Sequence, residues 1–186
     1  MNKNVKSLIL LLVVLAILLG GGYFVYSRYA VKTEPPKNTE ITDKEGEPLR
    51  DFTVFDAEHN ELRAADLAGK PAIINFWASW CPPCCAELPY FDSAWAAHGD
   101  RIRFVMINLA DDNSETPTAI KSFLEENGYR FPVYYDLNAD AANAYAINSI
   151  PMTLFVDKNG NVIDSHLGML SESVLDTMIQ TLTGEE

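Results

Sequence analysis

Residues 75–84 read Asn75-Phe76-Trp77-Ala78-Ser79-Trp80-Cys81-Pro82-Pro83-Cys84, and they decide the fold of this 186-residue chain. The run from Ala72 to Trp77 is apolar, has the length of a strand and follows a proline. A strand that is apolar on both faces is typical of the centre of a covered sheet. Residues 84–97 favour a helix. The pattern therefore predicts two cysteines, three positions apart, where a central strand turns into a helix.

This placement favours redox chemistry at the cysteine pair. At a helix N-terminus, unpaired N–H groups and the helix dipole favour a thiolate at Cys81, and such motifs lower the thiol pKa to roughly 3.5–7.5. Pro82 and Pro83 suit the first turn of a helix. The N–H groups of that turn have no intrahelical acceptor, so a proline there loses no hydrogen bond. A zinc half-site and two small core residues are the alternatives. No second cysteine pair follows and the three histidines lack ligand spacing, so we expect neither a metal nor a cofactor.

The charges are divided unevenly along the chain. Four of the 14 Lys and Arg residues lie in residues 1–32, which contain no acid, and all 26 Asp and Glu residues follow them. A domain this acidic repels phosphate backbones, so we expect no nucleic-acid partner.

The N-terminal segment predicts a membrane anchor. Leu8 to Tyr26 contains no charge, and nineteen helical residues span roughly 28 Å, close to the hydrocarbon core of a bilayer. A cleaved signal peptide is the alternative, but no small-x-small site follows the apolar run. We predict a signal-anchor in residues 1–32, a linker in 33–48 and one domain in 49–186. Basic residues before the span slightly favour a cytoplasmic N-terminus, which places the domain outside the cytoplasm at the cell membrane.

The domain alternates strand and helix and then ends in a hairpin and a helix, a pattern typical of an α/β fold with a mixed sheet. Asn159-Gly160 predicts the hairpin turn. Ser171 predicts the start of the last helix, whose apolar stripe is Val174, Leu175, Met178, Ile179 and Leu182. The predicted strands are residues 52–55, 61–63, 72–77, 102–109, 131–135, 152–156 and 161–166. The predicted helices are residues 64–67, 84–97, 116–127, 140–145 and 171–182.

Residues 75–84 resemble the active-site strand and turn of the thioredoxin superfamily. Over residues 48–182 the chain is most similar to the TlpA/ResA-like, membrane-tethered thiol–disulfide oxidoreductases, some of which serve cytochrome c maturation. Glu87-Leu88-Pro89 and the segment from Ile150 to Asp157 agree with that family in spacing. The resemblance implies a thioredoxin-like mixed sheet flanked by helices, with an N-terminal β-hairpin and a central insertion, preceded by one transmembrane helix.

The resemblance also assigns roles. Cys81 would attack the substrate disulfide and Cys84 would resolve the mixed disulfide. Pro151 would be a cis-proline facing the dithiol, rather than an ordinary trans proline that starts a strand. Trp80 would shield the dithiol, although it could equally be a core aromatic. The expected substrate-binding residues are Trp80, Pro82, Pro83, Ile150 and Pro151.

Two nearby residues distinguish this chain from ordinary thioredoxins. Asn75 is neutral where those proteins carry a buried acid. Glu87 lies on the same helical face as Cys84, and we expect it to be partly buried, with a raised pKa, and to exchange a proton with that cysteine; a solvated glutamate is the alternative. Cys85 departs from the family pattern and should turn away from the partner of Cys84. It is either a bystander or an alternative resolving thiol.

The favoured function is a protein-disulfide reductase, recharged by a membrane electron donor of the CcdA/DsbD type. Its substrate would be an oxidised CxxC, such as that of apocytochrome c, and the default oligomeric state is a monomer. A disulfide oxidase or isomerase would use the same residues. A copper carrier resembling the Sco-type proteins is a further alternative, because Cys81 and Cys85 offer a thiolate pair, but residues 148–150 contain no histidine.

Overall fold

The computed structural model describes residues 46–110 and 115–184. The predicted span Leu8 to Tyr26 and most of the predicted linker lie outside them. Across these two described ranges, no helix is both long and apolar enough to cross a bilayer. The sheet begins at Glu47–Pro48, two residues that the sequence interpretation assigned to the end of the linker.

Every predicted element of the domain is present, and its bounds lie within two residues of those predicted. The strands are β1 (Glu47–Pro48), β2 (Thr53–Phe55), β3 (Glu61–Arg63), β4 (Ala72–Trp77), β5 (Arg103–Asn108), β6 (Val133–Tyr135), β7 (Met152–Val156) and β8 (Asn161–Leu167). The helices are α1 (Pro82–His98), α2 (Pro117–Asn127), α3 (Asp140–Ala144) and α4 (Glu172–Thr183), with a 3-10 helix at Ala64–Leu67.

The strands of the described residues form one mixed sheet in the order β1-β8-β7-β4-β5-β6-β2-β3. The β4–β5 and β5–β6 pairs are parallel, and the other pairs are antiparallel. Strand β4 lies between β5 and β7, and all six of its residues are buried. The apolar run that precedes the cysteines is therefore the central strand that its composition predicts.

Side chains of the sheet alternate between two apolar clusters, one on each face. The dithiol face contains Cys81 and Cys84 together with Ile73, Trp77, Met106 and Phe155, and α1 and α4 contribute to it. The opposite face contains Ile74, Phe76, Val105, Ile107 and Leu154, with Phe52 and Leu67 from the N-terminal segment. The helix after the cysteines therefore packs over one face only, while the N-terminal hairpin contributes to the other.

The last helix departs from its predicted stripe at one residue. Leu175 and Ile179 are buried, but Val174 is 41% exposed. Adjacent helical residues point about 100° apart, so Val174 faces away from the sheet when Leu175 faces it. The buried side of the helix therefore does not include Val174, which the sequence assigned to the apolar stripe.

The hairpin between β7 and β8 follows the prediction from Asn159-Gly160. The carboxylate of Asp157 accepts hydrogen bonds from the backbone N–H groups of Asn159 and Asn161, at 2.9 and 2.8 Å. Gly160 adopts a φ of 82°, a conformation that favours glycine. The tight turn brings β8 back beside β7, which places residues 167–170 next to the active-site loop.

Candidate active site

Cys81 and Cys84 are joined by a disulfide at the start of α1. Cys81 caps the helix, and its Sγ accepts a hydrogen bond from the Cys84 N–H at 3.3 Å. Cys81 is 4% exposed and Cys84 is 0% exposed. The helix begins at Pro82 rather than at Cys84. Both prolines fit its first turn, because N–H groups at these positions would have no intrahelical acceptor. Cys81 is thus the cysteine that a substrate can reach.

The loop before β7 faces this disulfide. The Ile150–Pro151 peptide bond is cis, as the resemblance predicts. The Sγ of Cys81 lies 3.8 Å from the carbonyl oxygen of Ile150. Pro151 is buried, and its own carbonyl oxygen accepts a hydrogen bond from the Gly168 N–H at 2.8 Å. The backbone of Ile150 therefore lies beside the reactive sulfur, where an extended substrate segment could pair with it.

A cleft of about 430 Å³ opens at the same place. Its lining residues are Trp80, Cys81, Pro82, Leu109, Ile147, Asn148, Ser149 and Ile150. Trp80 is 60% exposed, so the alternative that it is a core aromatic is wrong. Pro83 is exposed but does not line the cleft. The sequence interpretation missed Leu109, although a residue just after a buried strand is a good candidate for the edge of a site.

Glu87 is completely buried, three residues after Cys84 on α1. Its Oε1 accepts a hydrogen bond from the Asn75 amide at 2.8 Å, and its Oε2 accepts one from the Leu170 N–H at 2.6 Å. The same Asn75 amide nitrogen donates to the hydroxyl of Thr153 at 3.0 Å. Burial raises the pKa of Glu87 to about 7, although the hydrogen bonds that Glu87 accepts from Leu170 and Asn75 partly oppose the rise.

The environment of Glu87 excludes the alternative of a solvated glutamate. The sequence predicts partial burial, and the side chain is completely buried. Its pKa is raised, as the sequence predicts. Glu87 follows Cys84 by three residues on α1, so the two lie on neighbouring positions of one helical face. Proton exchange between them stays a prediction.

A second buried carboxylate, Glu115, was missed. It accepts hydrogen bonds from the Ser79 N–H at 3.1 Å, from the Ser79 hydroxyl and from the Asn108 amide. Glu115 is 0% exposed. It ends a polar run after β5 that looks like an ordinary solvated loop. Asn108, a polar residue at the end of a buried strand, was the available signal for this carboxylate. A buried amide requires a hydrogen-bond partner, and Glu115 is that partner.

Cys85 is partly buried and is not in the disulfide. Its thiol donates a hydrogen bond to the carbonyl oxygen of Ser79, with an Sγ–O distance of 3.2 Å. Burial raises the pKa of the Cys85 thiol, and the negative charge of Glu115 raises it further. Cys85 thus contacts a different group from Cys84, as its position on the helix predicts.

The chain matches the Redoxin family over residues 44–179. The chain belongs to the Redoxin family. A thiol-disulfide oxidoreductase ResA from Bacillus anthracis is 28% identical, over 98% of this chain and 99% of the relative. The ResA of Geobacillus kaustophilus is 25% identical, again over 98% of this chain and 99% of the relative. The similarity therefore extends along almost the whole length of these two relatives.

Solved structures agree with this membership. A thioredoxin-family thiol:disulfide interchange protein from Chlorobium tepidum TLS superposes with a TM-score of 0.64 and 26% identity, covering 77% of this chain and all of that one. StoA from Bacillus subtilis superposes with a TM-score of 0.60 and 27% identity, covering 69% of this chain and 96% of StoA. The thioredoxin-like α/β fold is confirmed. This Redoxin-family chain is a TlpA/ResA-like thiol–disulfide oxidoreductase with Cys81 and Cys84 as its CxxC pair.

The cysteines and the nearby acids do not converge as a metal site. Within residues 46–110 and 115–184, no group of three or more His, Cys, Asp and Glu side chains has metal-ligand geometry. The sulfur atoms of Cys81 and Cys84 are bonded to each other, and the Cys85 thiol donates to a backbone carbonyl.

Proposed function

We propose that this Redoxin-family protein reduces disulfides in extracytoplasmic proteins by dithiol exchange through Cys81 and Cys84. One observation carries the proposal: the accessible cysteine lies at the cleft, beside the Ile150 backbone, while the second cysteine is buried one helical turn from Glu87. The resemblance to the TlpA/ResA-like family, the predicted membrane tether and Glu87 motivate the reducing direction.

In the first step, the reduced protein attacks its substrate. The thiolate of Cys81 forms a bond to one sulfur of the substrate disulfide, and the substrate S–S bond breaks. The second substrate sulfur leaves as a thiolate and takes up a proton. The N-terminus of α1 stabilises the attacking thiolate, because its N–H groups and dipole favour negative charge. The backbone of Ile150 would hold the substrate segment extended across the cleft during the attack.

In the second step, Cys84 resolves the mixed disulfide. Its thiolate attacks the Sγ of Cys81, the Cys81–substrate bond breaks, and the substrate leaves as a dithiol. A pKa of about 7 suits Glu87 to accept the Cys84 proton near neutral pH. The protein has then lost two electrons and a membrane donor of the CcdA/DsbD type would restore them by the reverse exchange.

The proposed substrate is an oxidised CxxC segment, such as the haem-binding site of an apocytochrome c. The resemblance to the TlpA/ResA-like family and the open cleft motivate this class, since an extended CxxC segment could lie along Ile150. We also propose that the protein is a monomer held at the cell membrane by one uncleaved N-terminal helix, with the N-terminus in the cytoplasm and the domain outside. In intact cells, a thiol reagent that cannot cross membranes should label the reduced protein; protection from it would overturn this topology.

The opposite direction of electron flow uses the same residues. An oxidase or isomerase would differ in the reduction potential of the Cys81–Cys84 pair, where 30 mV corresponds to about 1.4 kcal/mol. Titration of the full-length protein against glutathione and dithiothreitol buffers measures this potential.

A potential near or below about −270 mV is expected for a reductase, whereas a value near −120 mV, typical of a strong oxidant, would overturn the proposal. The matched control is Cys85→Ser, which preserves the pair and removes the third thiol from the titration.

A further inference from the structure

Ser79 is held from two sides, immediately before the active-site cysteines. Its N–H and hydroxyl donate hydrogen bonds to the buried carboxylate of Glu115, and its carbonyl oxygen accepts a hydrogen bond from the Cys85 thiol. Asn108, at the end of β5, donates to the same carboxylate. A buried carboxylate, a backbone turn and the third cysteine therefore form one connected network beside the disulfide.

The third cysteine lies one helical turn after Cys81, which carries the active-site sulfur. Cys85 follows Cys81 by four residues, and its backbone N–H donates to the Cys81 carbonyl at 3.0 Å. Positions three and four residues apart are neighbours on a helix, so Cys84 and Cys85 are both one turn from Cys81. Nothing in this spacing alone gives Cys84 sole access to Cys81.

A reactive Cys85 would divert the exchange. Its thiolate would attack the Sγ of Cys81 in the mixed disulfide, a Cys81–Cys85 bond would form, and the Cys81–substrate bond would break. The substrate thiolate would then take up the proton that Cys85 released. The atoms and electrons balance as they do for Cys84, but the product is a different disulfide, with Cys84 left free.

We propose that Glu115 is a positioning residue that, through Ser79, keeps Cys85 out of exchange at Cys81. The proposal rests on dithiol exchange through Cys81 and Cys84 and is independent of the direction of electron flow.

Two physical effects of Glu115 act together. Its hydrogen bonds fix the Ser79 turn, so that the Ser79 carbonyl oxygen is placed to accept a hydrogen bond from the Cys85 thiol. Its negative charge also opposes formation of a thiolate at Cys85. The other described titratable group that interacts with Cys85 is Tyr129, after α2, whose pKa is raised by burial and then by Cys85. Glu115 is therefore the group whose charge opposes a thiolate at Cys85, because the phenol of Tyr129, with its raised pKa, is uncharged near neutral pH.

Alkylation of the oxidised full-length protein measures the combined influence of Glu115 on the reactivity of Cys85. The Cys81–Cys84 disulfide blocks two of the three cysteines in the sequence, so iodoacetamide reports on Cys85 alone. We expect Glu115→Gln to accelerate alkylation about tenfold at pH 8, because loss of the negative charge lowers the pKa of the Cys85 thiol. Glu125→Gln, which removes an exposed carboxylate on α2, should leave the rate unchanged. Superimposable pH profiles for the wild type and Glu115→Gln would overturn the proposal.

Ser79→Ala separates the two effects and guards against misfolding of the Glu115 variant. It removes the hydroxyl donor but leaves the carboxylate and the Ser79 backbone in place, so a smaller acceleration is expected. Circular dichroism would establish that both variants are folded. A rate in Ser79→Ala that equals or exceeds the rate in Glu115→Gln would contradict the role of the Glu115 charge.

The lifetime of a mixed disulfide tests the exchange itself. In a Cys84→Ser background, a bound CxxC peptide should persist, because Cys85 is held out of the reaction. Adding Glu115→Gln should shorten that lifetime about tenfold and yield a Cys81–Cys85 disulfide, identified by peptide mapping. Adding Cys85→Ser as well should restore the long lifetime. Equal lifetimes with and without Glu115 would overturn the proposal, whatever the reduction potential of the wild-type pair.

Discussion

The two faces of the central sheet are built from the same strands but differ in chemistry. On β4, Ile74 and Phe76 face an apolar cluster, whereas Asn75 faces Glu87 and Thr153. Three buried polar atoms have no hydrogen-bond partner in the described part of the chain: Asn75 Oδ1, Trp77 Nε1 and Asn108 Oδ1. By strand alternation, all three lie on the dithiol face. An unsatisfied buried polar group costs about 1–3 kcal/mol.

The two faces therefore contribute differently to stability and to chemistry. Both faces supply apolar burial, but the dithiol face also holds buried polar groups. Apolar substitutions on the opposite face should therefore change stability alone, whereas substitutions of the cysteines and polar groups on the dithiol face should also change redox chemistry.

The largest expected effect is on chemistry and comes from the dithiol face. Cys81→Ser should abolish disulfide exchange, because it removes the accessible nucleophile, while Cys84→Ser should trap the mixed disulfide with a substrate peptide. Turnover of a peptide with an oxidised CxxC and mass spectrometry of the adduct measure these outcomes. Both variants should keep the wild-type far-ultraviolet circular dichroism spectrum. Residual turnover by Cys81→Ser would contradict the assignment of the nucleophile.

The next effect is on stability and comes from the opposite face. Phe76 is 0% exposed, and its ring centroid lies 6.0 Å from that of Tyr145. Phe76→Ala should lower the free energy of unfolding by about 3–5 kcal/mol, the usual cost of such a cavity, as measured by denaturant titration. Phe76→Leu, which leaves a smaller cavity, should cost less. If Phe76→Ala also shifted the reduction potential strongly, the separation between the faces would be refuted.

A pH-dependent effect should follow from Glu87. Its pKa rises from 4.5 to about 7 on folding, so the folded state binds the extra proton more tightly than the unfolded state does. The resulting stabilisation is complete below about pH 4.5 and is lost as the pH rises through 7. At about 1.36 kcal/mol per pKa unit, the contribution of Glu87 to the free energy of unfolding should fall by about 3 kcal/mol over this interval.

Glu87→Gln isolates this contribution. The difference in the free energy of unfolding between the wild type and this variant should change by about 3 kcal/mol between pH 4.5 and 8, in the direction that penalises the wild type at high pH. Glu126→Gln, which changes an exposed glutamate on α2, serves as the matched control and should run parallel to the wild type. A parallel curve for Glu87→Gln would mean that Glu87 has an ordinary pKa in the folded protein.

The smallest effect on stability is expected at Trp80. Its ring is 60% exposed at the cleft, so Trp80→Ala should change the free energy of unfolding by only about 0.5 kcal/mol. It should nevertheless raise KM for a protein substrate, because an exposed aromatic ring beside Cys81 offers contact area to a partner. An unchanged KM would remove Trp80 from the substrate-binding residues, where Pro82 and Ile150 would remain.

Much of the domain followed from local sequence signals. The bounds of β4 and β7 were predicted to the residue, because apolar runs between turn signals mark buried strands. The Asn159-Gly160 turn and the Ser171 cap were equally local. The cis bond before Pro151 and the importance of Glu87 came from resemblance to a family, since neither spacing nor composition distinguishes a cis proline from a trans one.

The sequence by itself determined the strand–turn–helix unit and the cysteine pair at its turn, because strand periodicity and helix capping depend on residues close in the chain. The tertiary structure alone decided which distant groups surround that pair. Leu170 donates to Glu87 across 83 residues, and Glu115 reaches Ser79 across 36. Such contacts depend on the order of strands in the sheet, and no local pattern encodes that order. The burial that raises the pKa of Glu87 arises from the same assembly.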